Sequence, residues 1–130
     1  MTTLTAHPGE AAFRSAVQAG DADALLATMA PDVRFSSPAV FRPYEGREAA
    51  APLLRAVLTV LAPTLRYVWQ VSEADRHVLG FIAHIDGKDI EGVDIITWNE
   101  NGLVGELTVM IRPLSGLIAL RDAIAARLSP

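Results

Sequence analysis

The sequence predicts an α+β domain. A curved, mostly antiparallel sheet wraps N-terminal helices, a C-terminal helix closes the resulting cone, and an apolar cavity lies inside. Three observations carry this. From Leu65 to Arg112 four strand-like segments follow one another, with Asp86-Gly87 and Asn101-Gly102 as hairpin turn signals. Helical segments stand ahead of that block rather than between its strands. Gly80, Gly92 and Gly105 sit inside the last three strands, where isolated glycines mark bulges or sharp bends. Three of them in succession predict a sheet curled around an interior.

Each element has a local reason. Pro8 to Gly20 reads as a helix, with Phe13, Ala16 and Val17 on one face at helical spacing and Gly20 as the stop. Asp21 is an N-cap for a second helix that turns Leu25, Leu26 and Met29 inward and ends at Pro31. Val33 to Ser37 is a short strand, and Pro38 to Gly46 a loop placed to form one lip of a pocket. Gly46 to Leu61 is a third helix burying Leu53, Leu54, Val57, Leu58 and Leu61. Pro52 removes a backbone donor there, which predicts a kink or a start nearer Ala50. The strands are Leu65 to Asp75, His77 to Ile85, Ile90 to Trp98 and Leu103 to Arg112. Leu114 to Leu128 is a closing helix with Leu117, Leu120, Ile124 and Leu128 on one face.

The 130 residues are read as one domain, 1–130, with 1–7 flexible. Apolar residues make up 51% and charged residues 20%, a globular composition that can build one core without staples. The net charge of -4, with no basic run, argues against nucleic acid as a partner. The absence of cysteine excludes disulfides, thiolate catalysis and Cys-ligated zinc. Three scattered histidines without ligand spacing give no metal site, and no cofactor is expected. Neither a signal peptide nor a membrane-spanning segment is read, so a cytoplasmic protein without membrane contact is expected.

Four short stretches carry a resemblance: Ala19-Gly20-Asp21, Phe35-Ser36-Ser37-Pro38, Tyr44-Glu45-Gly46-Arg47-Glu48-Ala49, and Asp94-Ile95-Ile96-Thr97-Trp98-Asn99. In this order and spacing the chain resembles the NTF2-like superfamily and, within it, the SnoaL-like group, over residues 8 to 128. Ketosteroid isomerases, limonene epoxide hydrolases and polyketide cyclases are related. The resemblance implies a cone with a ligand cavity, but not one reaction. Ketosteroid isomerases place a tyrosine on the first helix, where this chain has Phe13. Their general base precedes the proline that ends the first strand, where this chain has Ser37. Their protonated late-strand aspartate corresponds to Asp94. The last-strand aspartate of the epoxide hydrolases, and the acidic residue of the cyclases, fall on Thr108, with Glu106 two residues earlier. The resemblance also implies a homodimer through the open sheet face, for which Val93, Ile95, Leu107, Val109 and Ile111 supply the apolar positions.

Strand alternation sorts the polar candidates. Val78, Gly80, Ile82 and His84 share a face, as do Ile90, Gly92, Asp94, Ile96 and Trp98, and as do Val104, Glu106, Thr108, Met110 and Arg112. Asp94, between apolar neighbours, is the candidate acid or hydrogen-bond donor, since burial favours its neutral form. His84 and Glu106 are the candidate assisting groups. Phe13, Ser37, Ile82, Trp98, Thr108 and Met110 are the ligand-contact candidates. The ordinary structural roles stand beside these: a hydrogen-bonded strand histidine, an exposed Glu–Thr face, tryptophans in packing, a serine capping a turn. His77, beside a turn, reads as solvated, and His7 lies in the loose N-terminal segment. Two functions from different classes remain. One is acid–base chemistry on a small hydrophobic, cyclic molecule by an isomerase, cyclase or epoxide hydrolase type of enzyme. The other is a non-catalytic ligand-binding or protein-interaction domain.

Overall fold

A computed structural model describes residues 7–128. Two helices, α1 (Pro8–Ala19) and α2 (Ala22–Ala27), lead into β1 (Met29–Ser36) and the two-residue β2 (Tyr44–Glu45). Helix α3 (Arg47–Leu61) follows. Strands β3 (Arg66–Glu73), β4 (Arg76–Ile85), β5 (Lys88–Trp98) and β6 (Val104–Arg112) come next, then α4 (Leu114–Leu128). The six strands form one sheet in the order β2-β1-β6-β5-β4-β3, antiparallel throughout except where β1 runs parallel to β6. The mixed α+β architecture around a curved sheet is the one the sequence predicts.

Local chemistry sets the boundaries. Gly20 closes α1 in the left-handed conformation at φ 69°, and the Asp21 side chain accepts from the Ala24 N–H to open α2. Asp86 and Gly87 both have positive φ, the pair a type I′ hairpin turn needs. The Asn99 side chain accepts from the N–H groups of Asn101 and Leu103, stitching the β5–β6 turn.

Two expectations are corrected here. Met29 does not belong to the second helix, and Pro31 does not end it. Both residues are in β1, whose pairing with β6 is irregular between Met29 and Arg34, so Pro31 sits where the ladder does not need its missing N–H. Helix α3 begins at Arg47 rather than near Ala50. The Gly46 carbonyl accepts from the Ala50 N–H, and Pro52 is carried inside the helix.

The core lies between the concave sheet face and the helices. Phe13, Ala16 and Val17 of α1, Leu54, Leu58 and Leu61 of α3, and Leu120 of α4 meet Phe35, Leu79, Phe81, Ile96 and Leu107 of the sheet. Gly92 lets β5 bend under that core. A Cβ there would lie 2.5 Å from the Met110 carbonyl oxygen and 2.6 Å from the Phe81 ring.

Candidate functional site

A pocket of about 240 Å³ opens between the concave face and the helices. Phe13 and Val17 of α1 form one wall, Leu54, Leu58 and Leu61 of α3 another. Phe81, Val109 and Ile111 form the sheet side, and Leu117, Leu120, Ile124 and Leu128 of α4 cover it. Ser37, Pro38, Ala39 and Val40 stand in the loop after β1 and also line it, in the position expected of a lip.

Asp94 is the carboxylate of this wall. It is only 7% exposed, on the inner face of β5. The Tyr67 hydroxyl donates to its Oδ2 at 2.7 Å. Tyr67 is itself fixed by an edge-to-face contact with Phe81 and by the Arg14 guanidinium lying 5.5 Å above its ring. Burial pushes the Asp94 carboxyl up from 3.8 to about 7, and the Tyr67 hydrogen bond pulls in the opposite direction. Burial, and then the neighbouring Asp94 charge, hold the Tyr67 hydroxyl well above its ordinary value, so it remains a donor. Among the described residues no buried side-chain oxygen lacks a partner, and Asp94 has its hydrogen bond on Oδ2. Asp94 is also among the residues that line the pocket. The neutral acid has one O–H to donate, and Oδ2 is already accepting from Tyr67. In the ionised form both carboxylate oxygens can accept.

Phe13 and Ser37 line the same pocket. The Ser37 Oγ also accepts from the Val40 N–H at 3.3 Å, which holds the lip. The other candidates lie elsewhere. His84 and Ile82 are on the outer face of β4, because the core-facing residues of that strand are His77, Leu79, Phe81, Ala83 and Ile85. His84 is exposed and paired with Asp89 at 2.9 Å. Glu106, Thr108, Met110 and Arg112 are also on the outer face. Trp98 pairs with Val104 and Thr97 with Glu106, so Gly105 is an extra, unpaired residue that inverts the alternation beyond it. Val104 faces in, and so do Leu107, Val109 and Ile111. Those last three therefore belong to the interior and not to an outer dimer face. Trp98 is buried on the inner side, but beyond the pocket, where its indole donates to His77 Nδ1 at 3.0 Å. His77 is accordingly buried rather than solvated, and His7 caps α1 and stacks on Trp98.

Tyr67 escaped the sequence reading. Tyr67 pairs with Phe81 and Trp69 with Gly80, so Val68 is a bulge that places Tyr67 inside and Trp69 outside, two residues apart. Plain alternation cannot separate them. Among the described residues no three acidic or histidine side chains gather closely enough to hold a metal ion. Among the described residues, too, no helix is long and apolar enough to cross a membrane.

This pocket under a curved sheet is the architecture of an NTF2-like protein. Residues 10–107 match the SnoaL-like domain, and the chain belongs to that family. A protein conserved in bacteria from Silicibacter pomeroyi, of cystatin-like fold, is 36% identical with a TM-score of 0.87, over 93% of this chain and 85% of that one. A steroid delta-isomerase from Pseudomonas aeruginosa is 30% identical with a TM-score of 0.88, over 98% of this chain and 96% of that one. A de novo designed protein with a curved β-sheet shares the fold alone, at 14% identity and a TM-score of 0.69 over 90% of this chain and 91% of that one. No curated protein sequence matches the chain.

Proposed function

We propose that this protein binds a small hydrophobic, cyclic molecule in the pocket and sets one oxygen of it, a carbonyl for preference, against Asp94. The observation that carries this is a lone buried carboxyl, held near neutrality, in a wall that is otherwise mostly apolar. Apolar surface supplies affinity and one placed polar group supplies orientation, the usual division of labour in a small-molecule site. A carboxylic acid kept neutral by an apolar setting donates a hydrogen bond that an exposed carboxylate cannot. Similarity to the Pseudomonas aeruginosa steroid delta-isomerase favours cyclic ketones as the first class to try. The pocket volume of about 240 Å³ falls just below the range of drug-sized sites, which favours one- or two-ring molecules.

Acid–base chemistry is the second reading, and the Asp94 value of about 7 favours it, since such a group both gives and takes a proton at neutral pH. Against steroid isomerisation by two separate groups stand Ser37 and Phe13. Neither is a base, and phenylalanine is no donor.

A thermal-shift screen of cyclic ketones, epoxides, aromatic polyketide-like compounds and fatty acids, run on wild type and Asp94→Asn, tests the binding reading. A ligand at about 100 times its Kd adds roughly 2.7 kcal/mol. A ketone hit that weakens in Asp94→Asn is the expected result, and no shift in any class would sink the reading. Incubating a hit in D₂O separates the two readings: deuterium entering beside the carbonyl only with wild-type protein means catalysis, and none means binding.

We further propose a homodimer through the outer sheet face. Val68, Trp69, Val71 and Met110 are each at least half exposed there, with Val93 and Ile95 partly exposed on the same face. An apolar surface of this kind ordinarily marks a contact.

A further inference from the structure

We propose that His7, Trp98 and His77 form a latch that holds the start of α1 against the end of the sheet and that acid releases. The latch lies away from the pocket and does not depend on any ligand.

Its geometry is a chain of contacts. The Gly9 N–H donates to His7 Nδ1 at 2.9 Å, which caps α1. The His7 ring stacks on the Trp98 indole, with centroids 4.3 Å apart and planes 9° from parallel. The indole Nε1–H of Trp98 donates to His77 Nδ1 at 3.0 Å in a buried setting. The two imidazoles meet edge-on at 5.8 Å. Gly9 permits the close approach, since a Cβ there would lie 2.7 Å from Trp98 Cζ3.

Both donors are groups that can only donate, a backbone N–H and an indole N–H. Both Nδ1 atoms therefore accept, so in each ring the N–H of this arrangement is on Nε2. Protonation puts an N–H on Nδ1, facing another N–H, and breaks the contact in each case. At His7 it also sets a positive charge at the positive end of the α1 dipole.

The groups around the rings oppose or favour that step in a definite way. His77 is faced by Glu10 of α1, by His7 and by Trp98 of β5, with Ser72 of β3 and Ile96 of β5 across from it in register. Glu10 is buried and paired with Arg14 at 2.9 Å. Burial holds His77 below its ordinary value, the Glu10 charge opposes this, and His7 adds to it. His7 is faced by His77, Trp98, the Gly102 turn and the first turn of α1. His77, held neutral in the folded state, contributes stability that is complete above about pH 6.5 and is lost as the pH falls. Because α1 carries Phe13 and Val17, release of its N-terminus loosens one wall of the pocket.

Amide hydrogen exchange between pH 7.5 and 5 tests the latch in the intact protein, read as the ratio of α1 to β5 rates so that intrinsic pH effects cancel. The ratio should rise as the pH falls below about 6.5, by no more than about tenfold per pH unit for the one proton His77 takes up on opening. His77→Gln keeps an acceptor for the indole and should remove the rise, while His7→Asn keeps a capping oxygen and should leave α1 closed at neutral pH. A flat ratio in wild type overturns the proposal, as does a rise that His77→Gln leaves unchanged. Imidazole nitrogen chemical shifts of the wild type give an answer even if a variant fails to fold. Nε2-protonated tautomers at both rings are expected, and an Nδ1-protonated ring at either position overturns the latch.

Discussion

Tyr67 gives Asp94, which lines the pocket, a hydrogen bond 2.7 Å long on one of its two carboxylate oxygens. This contact favours loss of the Asp94 proton, against the burial that retains it. It joins two strands that are not neighbours in the sheet, β3 and β5, across the intervening β4.

Replacing Tyr67 by phenylalanine removes the interaction that lowers the Asp94 value, so that carboxyl should titrate above about 7. Carboxyl carbon shifts in an NMR pH titration measure this directly. The lost hydrogen bond should cost about 1–2 kcal/mol of stability in urea unfolding.

Asp94 makes stability depend on pH in a fixed direction. Below about pH 4 the carboxyl is protonated in both folded and unfolded chains, and full stability is present. From there to about 7 the unfolded chain gives up a proton that the native state keeps, so stability falls by about 1.4 kcal/mol per pH unit and then levels off. The whole span is on the order of 4 kcal/mol. In Asp94→Asn this contribution should vanish from a comparison of urea midpoints at pH 4.5 and pH 8.

Gly92→Ala forces a Cβ against the Met110 carbonyl and the Phe81 ring, and backbone on one side cannot yield as a side chain can. A loss of about 2–3 kcal/mol is expected. His84→Ala and Glu106→Ala, both on the outer face, should each change stability by no more than about 0.5 kcal/mol and leave ligand shifts untouched.

Trp69→Lys combined with Met110→Glu places charge in the outer apolar patch. If the dimer forms through that face, sedimentation velocity should show the wild type as a dimer and this variant as a monomer of unchanged fold by circular dichroism. Dimers in both would move the contact elsewhere.

The sequence makes the order of elements plain because turns and caps are local. Asp86-Gly87, Gly20-Asp21 and the α4 stripe of Leu117, Leu120, Ile124 and Leu128 each act within a few residues. Which way a strand's side chains face is not local. The bulges at Val68 and Gly105 each invert the alternation beyond them, which hid Tyr67 and carried Glu106, Thr108 and Met110 to the wrong side. In β4 both faces are apolar, with Val78 and Ile82 on one and Leu79, Phe81 and Ala83 on the other, so hydrophobicity could not choose between them. Asp94 was legible because β5 keeps an unbroken period of two from Ile90 to Ile96.

The one parallel pairing also governs when the protein can finish folding. Strand β1 has β6 on one side and only the two-residue β2 on the other, and Phe35 meets Leu107, roughly seventy residues later in the chain. On the ribosome the β3–β6 meander can assemble from neighbours in sequence. The first strand can cover itself with α3 and β2, but its place in the sheet beside β6, and the Phe35–Leu107 pair, come only once β6 has emerged.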